Sequence, residues 1–292
     1  MQFDNIFALG DIHGRWQTVR DFWLANKLEY KMAEKTNALI LLGDAGLNYF
    51  FNHRDVEAKR KLNSFPFTYF IVRGNHEERP SICMQNNPDK WHTETFWGNT
   101  VYVENDYPNI KYALDEVAIY TIPFDTKRSS KSHPNSIRDL KTLVIPGAYS
   151  VDKHYRIISG MSWFEQEQLS EEEMAAGLKL IQQSGKKYDL VLSHTCPIIY
   201  EPTDLFLSFV NQSMVDKTME RYMGQIEFNI EYKLWLWGHY HATRIYPENS
   251  QGRPIMLFND KSLDVADYFM QDVIYGKSLI IPSILETHKI LI

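Results

Sequence analysis

The sequence predicts an α/β fold built on a largely parallel sheet. Apolar runs of strand length end, one after another, at polar turns that contain glycine. Ile6-Phe7-Ala8-Leu9 ends at Gly10-Asp11, Ala38-Leu39-Ile40-Leu41-Leu42 at Gly43-Asp44, and Phe67 to Val72 at Gly74-Asn75. Longer amphipathic stretches alternate with these runs, and strand, turn, helix in succession marks βαβ units. With 292 residues, 44% of them hydrophobic and 23% charged, the chain can bury a substantial core and is neither disordered nor fibrous.

The elements follow in order. After the strand at Ile6 comes a helix from about Trp16 to Leu28, then the strands at Ala38 and Phe67. Val101 to Val103, Val117 to Ile122 and Leu143 to Pro146 read as short strands without long helices between them, which predicts a second, more antiparallel sheet. Asp125 to Arg138, with Lys127, Arg128, Lys131 and Arg138, reads as an exposed loop. A helix from about Glu165 to Ser184 follows, with Ser162 or Ser170 as its cap. The strand Leu190 to Leu192 ends at Ser193-His194. A helix between about Leu205 and Ile230 leads to the strand Leu234 to Trp237, which ends at Gly238-His239-Tyr240-His241. The tail, about 255–292, alternates apolar and polar residues and is expected to add strands. No linker stands out, so the expectation is a single domain over 1–292 with its motifs within about 5–246.

Lys plus Arg is 31 and Asp plus Glu is 37, a net charge of −6, which argues against a broad nucleic-acid surface or charge-driven membrane binding. Two cysteines, Cys83 and Cys196, are too few for a disulfide framework and suit a reducing compartment. Cys196 has no partner base nearby in sequence and is expected to be a packing residue. No signal peptide is visible and no stretch approaches the roughly 20 apolar residues of a membrane span, so a cytoplasmic location is expected.

The chemistry lies in the turns. Asp11-Ile12-His13, Gly43-Asp44, Gly74-Asn75-His76-Glu77, His194 and Gly238-His239-Tyr240-His241 all follow apolar runs. Ligands of open α/β sheets bind beyond the carboxyl ends of the strands, so these turns are expected to converge. Asp, His and Asn are nitrogen and oxygen donors, and such a set suits Mn, Fe, Zn, Ni or Co. Each piece alone is weak, since Gly-Asp and Gly-Asn are common turns. The ordered combination points to a metal site. His53, His92, His133, His154 and His288 have no such context.

This order of blocks, DxH, GD, GNH followed by Asp or Glu, H and GHxH, resembles the calcineurin-like metallophosphoesterase superfamily across residues 11–241. The resemblance implies a four-layer αββα sandwich of two mixed sheets with a dinuclear metal site at the strand-end loops. It implies one metal on Asp11, His13, Asp44 and His241 and a second on Asp44, Asn75, His194 and His239, with Asp44 bridging. Two divalent ions, Mn first among them, would activate water and neutralise charge on a phosphate ester. His76 would be the catalytic residue beside the leaving oxygen, as general acid or as electrostatic stabiliser. Glu77 could orient His76, support a ligand, or begin a helix.

The blocks around Asp11 and Asn75 also resemble serine/threonine phosphoprotein phosphatases, but that branch has GDxVDRG where this chain reads Gly43-Asp44-Ala45-Gly46-Leu47-Asn48. The phosphate-clamping arginine of that branch is missing. The stretch from Ile145 to Lys153, continuing to Arg156 and Trp163, resembles phosphoesterases of bacteria and phages. Arg156 is the first candidate to replace the clamp, Arg73 the second and Arg15 the third, because a guanidinium binds phosphate with two hydrogen bonds. For Arg156 and Arg73 the competing expectation is a structural ion pair. The expected function is metal-dependent phosphate ester hydrolysis of a phosphorylated substrate. The rivals are a polynucleotide nuclease or phosphodiesterase, a protein phosphatase, and a non-catalytic binding protein on the same fold.

Overall fold

The computed structural model describes residues 1–125, 137–206, 208, 210–270 and 280–282. Strands β1 (Asn5–Leu9), β2 (Asn37–Leu42) and β3 (Thr68–Val72) run parallel, with Ile6 opposite Ala38 and Ala38 opposite Thr68. Helices α1 (Trp16–Asn26) and α2 (His53–Asn63) make the crossovers, and α3 (Pro80–Asn86) follows β3. β4 (Trp91–Phe96), β5 (Asn99–Glu104) and β6 (Ile110–Tyr112) extend this sheet, β6 parallel to β3 and the others antiparallel. β7 (Ala118–Asp125) and β8 (Ile137–Ile145) open a second sheet as an antiparallel pair.

The second sheet continues through α4 (Lys153–Ile158), α5 (Glu171–Gln183), β9 (Lys187–Ser193), α6 (Thr218–Asn229), β10 (Glu231–Trp237), β11 (Arg244–Ile245) and β12 (Arg253–Met256). β13 (Lys261–Asp264), α7 (Val265–Met270) and β14 (Ile280–Pro282) return to the first sheet, where β13 pairs antiparallel with β1. Among the described residues the strand orders are β14-β13-β1-β2-β3-β6-β5-β4 and β11-β12-β10-β9-β8-β7.

Side-chain alternation explains the four layers. Ile6 and Ala8 of β1, with Ile40 and Leu42 of β2, face the other sheet and meet Leu190, Leu192, Leu234 and Leu236. Phe7, Leu9, Leu39 and Leu41 face outward onto Val19 and Phe22 of α1 and Ala58 and Leu62 of α2. On the second sheet Val191, Trp235 and Trp237 face outward onto Met219, Met223 and Ile226 of α6. Strands covered on both faces must be apolar at every position, which is why they read as continuous runs.

Several expectations are corrected. The second sheet is mixed: β8, β9, β10 and β12 are parallel and only its edges β7 and β11 are antiparallel. The strand around Val101 is β5 and belongs to the first sheet. Asp125 closes β7 and Ile137 and Arg138 open β8, so the ends of the expected loop 125–138 are strand; 126–136 lie outside the described residues. The helix expected from Glu165 starts at Glu171 because Ser170 caps it: its hydroxyl accepts from the Glu173 N–H at 3.2 Å, and the Glu173 carboxylate accepts from the Ser170 N–H at 2.8 Å.

Candidate metal centre

The metal-ligand candidates and His76 sit just past the carboxyl ends of strands: Asp11 and His13 after β1, Asp44 after β2, Asn75 and His76 after β3, His194 after β9, and His239 and His241 after β10. Because β1, β2 and β3 are parallel, and so are β9 and β10, these ends lie on one edge of the sandwich. The two sheets are tied there: His194 Nδ1 lies 2.8 Å from the Leu42 carbonyl of the other sheet, and Gly147 N–H donates to the Arg73 carbonyl at 2.9 Å.

Packing at this edge is close. A Cβ on Gly74 would lie 2.1 Å from Asp44 Oδ1, and one on Gly43 would lie 2.1 Å from His194 Nδ1. Glycine precedes Asp44 and Asn75 because neighbouring site residues occupy the space of a side chain. His13, Asp44, His239 and His241 adopt φ of 47°, 46°, 70° and 51°, a left-handed conformation that costs energy in a residue with a Cβ. The turns are bent to aim side chains, not merely to reverse the chain.

The donor atoms of His13, Asp44 and His76 lie within 4.8 Å of one another, and so do those of Asp44, His194 and His239. Asp44 belongs to both groups. His13 Nε2 and His241 Nε2 face each other at 2.9 Å, and Asn75 Oδ1 lies 2.8 Å from His194 Nε2. The Asp11 carboxylate accepts from the His239 N–H at 2.9 Å and lies 3.5 Å from His194 Nδ1.

Electrostatics follow from burial. Burial pushes the Asp11 carboxyl up to about 7, with Asp44 adding to the rise. Burial drives the His13 imidazole down to about 3. For Asp44, burial works the other way but is overcome by His76, His194 and His13, which hold its carboxyl well below the usual range. For His194, burial is again outweighed, by Asp44 and Asp11, and the ring is lifted to about 9.

Residues outside the motifs orient the donors. Asn75 Nδ2 donates to Ser150 Oγ at 2.9 Å, and Ser150 gives its own hydroxyl to Glu167 Oε2 at 2.5 Å. This chain turns the Asn75 carbonyl oxygen toward His194. Asn259 Nδ2 donates to the Asp11 backbone carbonyl at 2.5 Å, and the His241 ring stacks on Phe258 at 5.2 Å. Ser150 lay within the stretch that resembles other phosphoesterases, whereas nothing in the sequence pointed to Glu167 or Asn259.

Glu77 does not begin a helix, since α3 starts at Pro80. Its buried carboxylate accepts from Gly46 N–H at 2.6 Å and Gly74 N–H at 3.4 Å, pinning the Asp44 turn to the Asn75 turn.

The three arginines part company. Arg156 is buried and reaches the site: Nη2 lies 3.0 Å from His76 Nδ1 and touches Nε2 as well, while Nε pairs with Asp152 at 2.8 Å. Tyr49 stacks on His76 at 5.9 Å and lies under the Arg156 guanidinium at 5.7 Å. Arg73 is buried against Asp115 at 3.5 Å and donates to the Gly74 and Glu167 carbonyls, so its guanidinium serves the structural ion pair. Arg15 precedes α1 as its cap residue, is exposed, and reaches the Ile12 carbonyl at 3.5 Å. Cys196 is buried and free, with its thiol held well above the usual range by burial.

Residues 5–243 match the family model described as calcineurin-like phosphoesterase. No curated protein matches the chain by sequence. Similar solved structures include a phosphopantetheinyl hydrolase of Mycobacterium tuberculosis, 12% identical over 98% of this chain and 97% of that one with a TM-score of 0.44. A dimetal phosphatase from Danio rerio is 13% identical over 89% and 94%, TM-score 0.43. An anchor of the inner membrane complex of Plasmodium is 14% identical over 96% and 78%, TM-score 0.48. With the match running from the first strand to just past the last of the histidine motifs, the chain belongs to the calcineurin-like phosphoesterase family.

Proposed function

We propose that this chain hydrolyses phosphate esters with two divalent metal ions, Mn the first choice, held by Asp11, His13, Asp44, Asn75, His194, His239 and His241. The observation that carries the proposal is the central place of Asp44, whose carboxylate is grouped with the His13 and His76 rings on one hand and with the His194 and His239 rings on the other, His76 being kept for the substrate. The donor set fits cations. The His194 Nδ1 proton goes to the Leu42 carbonyl, so Nε2 is the nitrogen on which a cation would replace a proton, and Asp11 is a carboxylate whose ionisation burial opposes and a cation would favour. Bound metals would supply Lewis-acid activation of water and of the phosphoryl group.

The protein's own residues do the rest. Water adds to phosphorus, the bond from phosphorus to the alcohol oxygen breaks, and the alcohol leaves with a proton. Arg156, fixed by Asp152 and Tyr49, presents positive charge beside His76 and is the residue we assign to a phosphate oxygen. Burial, and then the Arg156 charge, depress the His76 imidazole below its ordinary value, although Asp44 opposes them. His76 therefore serves as a neutral hydrogen-bond partner of the leaving oxygen, and electrostatic stabilisation is favoured over general-acid catalysis.

The substrate we assign is a phosphorylated molecule, and no helix of the described residues is long and apolar enough to cross a membrane. We assign a cytoplasmic location, which the two free buried cysteines support. The test is a rate panel of aryl phosphate monoester and diester, cyclic dinucleotides and phosphopeptides, each with Mn, Ni, Zn and Mg. Metal-dependent turnover of at least one class is expected. Metal binding without turnover of any would favour the non-catalytic rival.

A further inference from the structure

A cavity of about 430 Å³ opens beside His239 and His241. Its walls are largely apolar, with Tyr149, Leu205, Phe206, Val215 and Tyr240 among them. Phe206 and Tyr240 face each other nearly parallel, 25° apart with ring centres at 6.3 Å. Three carboxylates and one cation also line or flank it. Lys217 is taken by Glu201 at 2.6 Å and lies over the Phe206 ring at 4.6 Å. Asp216 accepts from Gln168 at 3.0 Å and from the Thr218 N–H at 2.8 Å.

Glu220 is different. It is 3% exposed and lines the cavity, and its Oε1 accepts from Thr195 Oγ1 at 2.8 Å, but its Oε2 has no hydrogen-bond partner among the described residues. A buried acceptor left unpaired is costly, and a ligand that supplies the missing donor recovers that cost.

We propose that this cavity is the subsite for the alcohol part of the ester, and that it selects an apolar, ring-sized group carrying a cationic amine that pairs with Glu220. This deepens the phosphoesterase reading and rests on it. Lys217 forms its ion pair with Glu201, which leaves Glu220 without an ion-pair partner among the described residues, and the aromatic walls favour a cation over an anion. The volume falls in the range that encloses a small organic group. Burial raises the Glu220 carboxyl, and a bound ammonium would draw it back to the charged form.

Two paired measurements test this. Calorimetry of 4-(aminomethyl)phenol against the isosteric 4-ethylphenol needs no turnover. The wild type should bind the amine at least about tenfold more tightly, and Glu220→Gln should bring the two within about twofold. The corresponding phosphate esters, assayed with Mn, should show the same preference in kcat/KM and the same collapse in the variant. Equal binding of amine and ethyl compound by the wild type overturns the proposal whether or not the variant folds. So does a tenfold preference that survives Glu220→Gln. If the amine is preferred but neither ester is hydrolysed, the subsite stands as a binding site and the catalytic reading falls. If both esters are hydrolysed without preference, the reverse holds.

Discussion

His194 illustrates how one side chain would be prepared for the proposed cation. Its Nδ1 is committed to the Leu42 carbonyl, so only Nε2 can be a ligand, and that nitrogen meets Asn75 Oδ1. Asn75 in turn is aimed by Ser150 and Glu167. Ser150→Ala removes the acceptor of the Asn75 amide and should weaken metal binding about 10- to 100-fold, read by metal titration. An unchanged affinity would show that Asn75 needs no help. His76 is prepared for a different task. His76→Ala should keep the metals and lose about 10²–10³ of kcat. Because Arg156 and burial disfavour its protonated form, the loss should be similar for alkyl and aryl phosphates. A loss much larger for the alkyl ester would restore general-acid catalysis, and a loss of metal would make His76 a ligand.

Turns and caps decide matters at the scale of elements. The Gly74 position leaves no room for a methyl group, since Asp44 Oδ1 and the Asp44 backbone nitrogen lie 2.1 and 2.4 Å from its Cβ site. Gly74→Ala should therefore displace the Asp44 turn and weaken metal binding by more than about tenfold, measured on the same titration. Ser170→Ala breaks the capping box of α5 far from the metals; it should cost about 1 kcal/mol in denaturant unfolding and leave metal binding as it was. The strands that hold the site were legible because both of their faces are covered, so each one reads as an unbroken apolar run. β4 was not: its middle residues His92 and Thr93 are exposed, and only Trp91 and Phe96 at its ends are buried. α2 was equally hidden, for it is strongly polar and turns few apolar residues, Ala58 and Leu62, to the core. α5 was placed too early because Glu165 to Leu169 look helical while the cap that starts the helix lies at Ser170.

For the whole molecule, the site exists because two sheets end at one edge. The convergence of these turns was legible because each closes an apolar run, and in this class of fold ligands bind beyond the carboxyl ends of the strands. Their supports were not, because Glu167 and Asn259 reach the site across long stretches of chain and leave no local pattern. The order of strands in the second sheet was hidden for the same reason: β8, β9, β10 and β12 pair across intervening helices and loops, and nothing local says which neighbours which.

Two clusters of donors that share Asp44 make one measurable claim about the whole chain. The direct measurement is a Mn titration of chelator-treated protein, with bound metal counted per chain. The account predicts saturation at two equivalents, and loss of both from Asp44→Asn because the shared ligand serves each site. Saturation at one equivalent, or an Asp44→Asn variant that still holds two, would contradict it.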